Sequence, residues 1–130
     1  LNVWGSGNQY RDFIYVDDIC RGLIACALKG VPGDVYNIAS GNEVTIKEWA
    51  ELICEHTGNR GGVELLPKRN WDTSGKRFGS TDKSKNELEF ESRVHYKDGL
   101  LKTIEWTKEN MEKIEMCISK HDKEMSKIGN

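Results

Sequence analysis

Residues 34–58 read DVYNIASGNEVTIKEWAELICEHTG and combine an apolar run, a polar turn and a sharply bounded helix. The apolar run Val35–Ala39 has the length of a strand and is followed by residues typical of a turn. Thr45 is a suitable N-cap, Glu48 three residues later completes a capping box, and Gly58 ends the helix. The apolar residues of this helix recur on one face: Ile46, Trp49, Ala50 and Ile53. The segment therefore predicts a strand, a turn and an amphipathic helix.

The preceding residues continue this alternation toward the N-terminus. Leu1–Trp4 reads as the end of a strand, and Phe13–Val16 is a second extended run, rich in β-branched and aromatic residues. Asp17 or Asp18 offers a carboxylate to the N-terminus of a following helix. The apolar residues of that helix recur at helical spacing: Ile19, Leu23, Ile24, Ala27 and Leu28. The alternation of strands and helices over residues 10–58 predicts an α/β fold with a mostly parallel sheet.

The second half of the chain is more polar. Val63–Leu66 predicts a short strand, and Ser84–Phe90 predicts a short helix. Residues 60–85 hold seven Lys and Arg against three acidic residues, so this stretch is locally basic. A long helix is predicted at the end of the domain. We place the whole domain at residues 1–118. The charged residues 119–130 are expected to form a frayed tail.

The composition excludes several functional classes. The 130 residues include 19 Lys and Arg against 21 Asp and Glu, and a formal net charge of −2 excludes a generally basic nucleic-acid-binding protein. No apolar run approaches the ~18 residues of a membrane span, so no membrane partner is predicted. The four cysteines form no C-x-x-C pair, and the three histidines do not fall at ligand spacing with them, which predicts no metal site. Such cysteines are typical of a reduced, cytoplasmic protein.

Residues 5–18, GSGNQYRDFIYVDD, resemble the G-x-G-x-Q-x-R-D-F-x-Y-V-x-D motif of nucleotide-sugar epimerases and dehydratases. These enzymes are the extended short-chain dehydrogenase/reductases. Three further segments resemble motifs of the same family in the same order: Tyr36–Ile46, Asp82–Phe90 and Gly99–Trp106. The resemblance implies a partial Rossmann-like epimerase fold that ends in a long helix.

Two motifs of that family do not occur in this sequence. The glycine-rich G-x-x-G-x-x-G loop that holds the dinucleotide pyrophosphate is absent, and so is the catalytic Y-x-x-x-K pair. The chain begins at Leu1 without an initiator Met and is expected to be the C-terminal, substrate-binding portion of a longer enzyme. The resemblance then implies no catalytic or cofactor-binding residue here, an N-terminal Rossmann portion that carries NAD or NADP, and a homodimeric parent.

The reaction is also implied by the resemblance. In this family, bound NAD removes a hydride from the sugar and returns it after epimerisation or elimination. The expected parent is an NAD(P)-dependent nucleotide-sugar epimerase or 4,6-dehydratase, and the present portion is expected to clamp the nucleotide diphosphate of the sugar donor. A nucleotide-sugar decarboxylase or reductase is the nearest alternative. A non-catalytic module that binds sugar nucleotides or another protein is the alternative from a different class.

Arginines are candidate ligands of the substrate diphosphate, because a guanidinium matches phosphate oxygens in geometry and charge. In the resembling family the Arg of R-D-F contacts the phosphates, and this assigns the role to Arg11. The alternative is a surface arginine paired with Asp12 or Asp17.

A second candidate contact lies in the basic stretch. Arg69-Asn70-Trp71-Asp72 is similar to the family's R-x-G-D, in which the Arg binds the phosphates and the Asp accepts from the nucleoside ribose. Trp71 stands where the family has glycine. Because this departure can shift the register, Arg77 is a rival for the second phosphate contact.

A candidate base site lies at the N-terminus. Asn2-Val3-Trp4 resembles the extended segment that holds the base in related epimerases through backbone amides and an aromatic side chain. Trp4 then supplies a flat apolar wall, and the alternative is a core aromatic residue at a strand end. Gln9 is a minor candidate. Trp49 and Trp106 are expected on buried helix faces.

Overall fold

The computed structural model describes residues 1–72 and 75–128. The strands are β1 (Asn2–Trp4), β2 (Tyr10–Asp12), β3 (Glu43–Thr45) and β4 (Glu64–Leu66). The helices are α1 (Val16–Lys29), α2 (Ile46–Thr57), α3 (Asp82–Leu88), α4 (Tyr96–Glu109) and α5 (Met111–Ile128). In chain order, α1 follows β2, α2 follows β3, and the last three helices follow β4. This mixture of helices and short strands confirms the predicted α/β class.

The strands form two separate pairs in the part of the chain that the structure describes. β1 and β4 are parallel, with Val3 opposite Leu65 and Trp4 opposite Leu66. β2 and β3 are antiparallel, with Arg11 opposite Val44. The expectation of a mostly parallel sheet is therefore only partly correct, because β2 pairs locally with β3, a strand that the sequence pattern did not predict.

Two predicted strands are wrong. Residues of Phe13–Val16 instead connect β2 to α1, and the Phe13 ring stacks on Trp49 of α2 with ring centroids 4.0 Å apart. Val35–Ala39 forms no strand, because no neighbouring strand among the described residues satisfies its backbone hydrogen bonds as a ladder. Both segments have strand-like composition, but a strand also requires an adjacent partner.

Helix α1 passes so close to residues 35–39 that only glycine fits at the crossing. A Cβ atom added to Gly22 would lie 2.4 Å from Cγ2 of Ile38. We expect Gly22→Ala to lower the free energy of unfolding by about 1–3 kcal/mol, because overpacking outweighs alanine's helix propensity advantage of about 1 kcal/mol. Urea denaturation measures the change.

The matched control for this substitution is Gly75→Ala. An added Cβ at Gly75 meets nothing within 4 Å, so this variant should be as stable as the wild type or slightly more stable. Equal stability of the Gly22→Ala variant and the wild type would show that α1 and residues 35–39 are not in close contact.

Asp18 does not cap α1, contrary to the sequence-based expectation for Asp17 or Asp18. Tyr15 is the N-cap residue and makes no side-chain capping bond, while Asp18 is 1% exposed. Its carboxylate accepts hydrogen bonds from the amides of Arg93 (2.8 Å) and Val94 (2.9 Å) and pairs with Arg21. Burial raises the pKa of Asp18, but these hydrogen bonds outweigh burial and hold it below its ordinary value. Asp18 therefore joins the first turn of α1 to the segment before α4.

Helix α2 has the predicted ends. The Thr45 hydroxyl accepts a hydrogen bond from the Glu48 amide at 3.1 Å, and Gly58 adopts the left-handed conformation with φ 68°. The Glu48 carboxylate accepts a hydrogen bond from the Tyr96 hydroxyl at 2.9 Å. The predicted capping box is therefore only half formed, and the Glu48 side chain instead connects α2 to α4.

The apolar stripe of α1 is exposed. Leu23, Ile24 and Leu28 expose 61%, 59% and 78% of their surface. The buried apolar side chains lie elsewhere: Val3, Val44, Ala50, Cys54, Leu88, Phe90 and Leu100. Helix α1 therefore presents a continuous apolar face to solvent in this chain.

The C-terminal region consists of two helices rather than one. Asn110 ends α4, and its amide donates to the carbonyl of Trp106 at 3.0 Å. α5 then continues through the residues beyond 118 as far as Ile128. Trp106 is 57% exposed, so its expected burial is wrong. Within the described residues, no helix combines the length and the apolar character needed to cross a membrane.

Candidate functional site

The candidate site lies where β1 and β4 end. Because parallel strands run in the same direction, the chain leaves Trp4 and Leu66 at the same edge of the pair. The Gly5 amide continues this pairing with a 2.8 Å hydrogen bond to the Leu66 carbonyl. The loop Gly5–Gln9 and the segment 67–72 are thus neighbours, although they are distant in sequence. Carboxyl ends of strands are the usual position of ligand sites in α/β proteins.

Helix α2 fixes the loop Gly5–Gln9. The amide of Lys47 donates to the Gly7 carbonyl, and the amide of Ile46 donates to the Gln9 carbonyl, each at 3.0 Å. Gly7 has φ +72°, and a Cβ atom there would lie 2.7 Å from Cβ of Lys47. The loop is therefore held rigidly against the first turn of α2, and it sets the position of β2.

These segments enclose a cleft of about 260 Å³. Its lining residues are Asn2, Val3, Trp4, Gln9, Arg11, Ile46, Arg69 and Asp72. All of the residues predicted to bind substrate are in this set except Arg77. The Arg77 amide donates to the Tyr10 carbonyl at 3.2 Å, and its exposed side chain is not part of the lining. The structure thus brings together candidate residues from the N-terminal segment and from the basic stretch, and their binding roles stay predictions.

Arg11 is held at the junction of β2 and the basic stretch. Its Nη1 donates to the carbonyls of Tyr10 (2.7 Å) and Gly75 (3.1 Å). The Asp12 carboxylate accepts from the amides of Ser40 (2.8 Å) and Gly41 (2.9 Å), so it serves another part of the fold. The planar fork of the guanidinium suits an anionic ligand.

Arg69 lies over two indole rings. Its Cζ is 4.3 Å from the ring centroid of Trp4 and 5.3 Å from that of Trp71. Trp4 is 41% exposed, which contradicts the alternative that it is a core residue. Trp71 is 73% exposed. The cleft therefore combines cationic and aromatic groups, the two kinds of group that bind phosphates and bases.

Two further residues of the lining have definite positions. The Val3 side chain is 5% exposed, so only its backbone can face a ligand. Gln9 Nε2 donates to the Trp4 carbonyl at 3.4 Å, while its Oε1 is the buried side-chain atom that lacks a hydrogen-bond partner among the described residues. The sequence indicated Gln9 only as a minor candidate, because polar loop residues carry no periodic signal.

Two other kinds of ligand group in proteins are clusters of carboxylates or imidazoles and the amides of helix N-termini. Within the described ranges, no three His, Cys, Asp or Glu side chains cluster. The first-turn amides of α2 donate to Gly7, Gln9 and Thr45, and the amides of Asp18 and Ile19 in α1 donate to Tyr15. These amides are thus used in hydrogen bonds within the chain.

Known proteins are similar to this chain in sequence and in fold. The family model for the NAD dependent epimerase/dehydratase family matches residues 1–39. A UDP-glucuronate 4-epimerase of Thermodesulfobacterium geofontis is 33% identical over 115 residues, which are 88% of this chain and 35% of that protein. A dTDP-glucose 4,6-dehydratase of Streptomyces niveus is 36% identical over 111 residues, which are 83% of this chain and 32% of that protein.

A solved structure gives the same relationship. The Bordetella bronchiseptica enzyme WbmF, in complex with NAD⁺ and UDP, is 55% identical with a TM-score of 0.77. The match covers 91% of this chain and 35% of WbmF. The chain therefore spans about a third of the length of the relatives that it matches.

The chain is a mixed α/β protein with a cleft of cationic and aromatic residues at the ends of two parallel strands. The chain is, more particularly, a relative of the extended short-chain epimerases and dehydratases and corresponds to a fragment of those larger proteins. This confirms the family resemblance of the sequence motifs. The matched relatives act on nucleotide sugars, and they include epimerases, dehydratases and decarboxylases.

Proposed function

We propose that this chain is the substrate-binding portion of an NAD(P)-dependent nucleotide-sugar epimerase or 4,6-dehydratase and clamps the nucleotide diphosphate of the sugar donor. The observation that supports this proposal best is the convergence of Arg11, Arg69, Asp72 and Trp4 on one cleft. Two cations suit a diphosphate, a carboxylate suits ribose hydroxyls, and an indole suits a base.

Each group has a separate task in this proposal. Arg11 and Arg69 approach the diphosphate from different segments, so the phosphates are oriented as well as neutralised. Asp72 accepts hydrogen bonds from the ribose, and Trp4 packs on the base. Asn2 and Val3 contribute backbone groups of β1. The cleft binds the part of the substrate that is remote from the reacting carbon.

The chemistry belongs to residues and a cofactor outside this chain. NAD or NADP in the parent supplies hydride removal and return at the sugar. No residue of the described chain is assigned to that step, and the sequence has no glycine-rich loop of the kind that holds the cofactor pyrophosphate. This chain therefore positions the substrate and is not competent for turnover by itself.

An N-terminal Rossmann portion of the same protein is the proposed partner of α1. The stripe of Leu23, Ile24 and Leu28 on α1 is exposed, and Val35 is also 78% exposed. An apolar patch of this kind is typical of a buried interface. We place the parent in the cytoplasm as a homodimer.

Two alternatives remain distinct from this proposal. A decarboxylase shares the substrate class, and a UDP-glucuronic acid decarboxylase 1 of Danio rerio is 34% identical over 112 residues. A non-catalytic sugar-nucleotide module would bind the same ligands with no hydride chemistry. An N-terminal portion with the glycine-rich loop and the Y-x-x-x-K pair in the same polypeptide favours the enzyme.

The ligand preference of the chain tests this proposal. Calorimetric titration of the chain with uridine diphosphate should give saturable binding, whereas NAD should give none in the submillimolar range. The cleft has groups for the phosphates and the base, but the sequence lacks the glycine-rich loop that a dinucleotide pyrophosphate needs. A submillimolar constant for NAD would contradict the division of roles. Absence of diphosphate binding would contradict the clamp.

A further inference from the structure

Trp71 and Arg69 form an arrangement that the family motif does not contain. The motif has glycine where this chain has Trp71, and the Trp71 indole lies over the guanidinium of Arg69, which also covers Trp4. Within the described ranges, Arg69 makes no ion pair. Its guanidinium therefore has two indole rings as its neighbours.

We propose that Trp71 is a second aromatic wall for the nucleotide base, and that Arg69 occupies the place of the base when the cleft is empty. This inference rests on the proposed function. When a nucleoside diphosphate binds, the guanidinium moves from Trp4 and Trp71 to the diphosphate, and the base takes its position on the indoles. Trp71 then favours ligands that carry both a base and a diphosphate.

The exchange is favourable because each group gains a better partner. A guanidinium over an exposed indole is weakly stabilised, whereas its charge-assisted bonds to a diphosphate are stronger. A base is planar like the guanidinium and stacks on an indole more strongly than an exposed cation does. Trp71 is not itself among the lining residues, but its ring centroid lies 5.3 Å from Cζ of Arg69, which lines the cleft, and 73% of Trp71 is exposed.

A turn of the backbone sets the position of Trp71. The Asp72 amide donates to the Arg69 carbonyl at 3.1 Å, so Arg69, Trp71 and Asp72 belong to one turn. Lys68, just before it, lies against the Gly5 turn that follows β1, with Cβ 3.8 Å from the position of a Gly5 Cβ. Because the Arg69 guanidinium contacts both rings, the Trp71 indole lies near Trp4, the last residue of β1.

The test compares Trp71→Gly, which restores the glycine of the motif, with Trp71→Phe, which keeps an aromatic ring. Titrations with uridine diphosphate and with inorganic pyrophosphate separate the contribution of the base from that of the phosphates. We expect Trp71→Gly to weaken diphosphate-nucleoside binding about fivefold to fiftyfold, and Trp71→Phe to weaken it less. Pyrophosphate should bind Trp71→Gly as well as the wild type or more tightly, because Arg69 loses a competing aromatic contact.

Other outcomes overturn the inference in distinguishable ways. If Trp71→Gly binds uridine diphosphate like the wild type while Trp4→Ala binds it weakly, Trp71 is no wall and the proposed function stands. If Trp71→Gly weakens both ligands equally, Trp71 supports the phosphate contact and not the base. If the wild type does not bind uridine diphosphate, the proposed function fails and this inference fails with it.

Discussion

Arg69→Ala and Arg11→Ala are each expected to weaken binding of the nucleotide sugar about tenfold to a hundredfold in the intact enzyme. A hydrogen bond to a charged group contributes roughly 1.5–3 kcal/mol, which corresponds to this range of affinity. The two arginines lie on different segments of one cleft, so neither replaces the other. Because the diphosphate is remote from the reacting carbon, KM should rise more than kcat falls.

Arg77→Ala is the matched control, since its side chain is exposed and does not line the cleft. Its KM should equal that of the wild type. The reverse result, in which only Arg77→Ala raises KM, would show that the R-x-G-D register assigned here is wrong. Arg11→Ala also removes bonds to the carbonyls of Tyr10 and Gly75, so thermal unfolding must be measured for this variant.

Asp18→Asn is expected to destabilise the fold by about 3 kcal/mol, which is near the lower end of the usual cost of breaking a buried ion pair. The carboxylate holds two backbone amides and Arg21, and an asparagine amide group cannot accept all of these bonds. The partial exposure of Arg21, whose side chain is 32% accessible, reduces the cost. Asp17→Asn is the neighbouring exposed control and should leave the denaturation midpoint unchanged.

The stability difference should also depend on pH. The pKa of Asp18 is lower in the folded protein than in the unfolded chain, so unfolding takes up a proton at acid pH. The stabilisation by this carboxylate is complete above its ordinary pKa of about 4 and is lost as the pH falls through the folded-state value. Urea denaturation of the wild type and Asp18→Asn should therefore converge below pH 4. A stability difference that stays constant as the pH falls further below 4 would contradict the role of the charge.

The local signals in the sequence predicted helices better than strands. Thr45, Glu48 and Gly58 determine both ends of α2, because capping depends only on residues within one turn of a helix end. Val35–Ala39 has the composition of a strand, but its hydrogen-bond partner is not a property of its own residues. β3 was missed for the same reason. The exposure of the apolar face of α1 was not predictable either, because periodicity shows which residues share a face and not what covers that face.

The candidate site was predictable where motifs reach it. Arg11, Arg69, Asp72 and Trp4 were identified by resemblance, and the parallel pairing of β1 with β4 brings their segments together. The contact between Arg69 and Trp71 was not predictable, because it depends on side-chain positions in a turn. The role of Asp18 was also hidden, since its partners lie more than seventy residues further along the chain.

The three-residue strand β2 makes the length of the loop before it a constraint on evolution. Neighbouring residues of a strand point to opposite faces, so Arg11 reaches the cleft while Asp12 reaches the Ser40–Gly41 turn. Deletion of one residue between Gly5 and Gln9, with the pairing of β2 and β3 kept in place, would put Asp12 in the position of Arg11 and bring a carboxylate to a site suited to anions. Outside Gly7, whose positive φ and close contact with Lys47 require glycine, the loop can therefore diverge in amino-acid identity, but the loss of a single residue would alter the fold and the ligand site together.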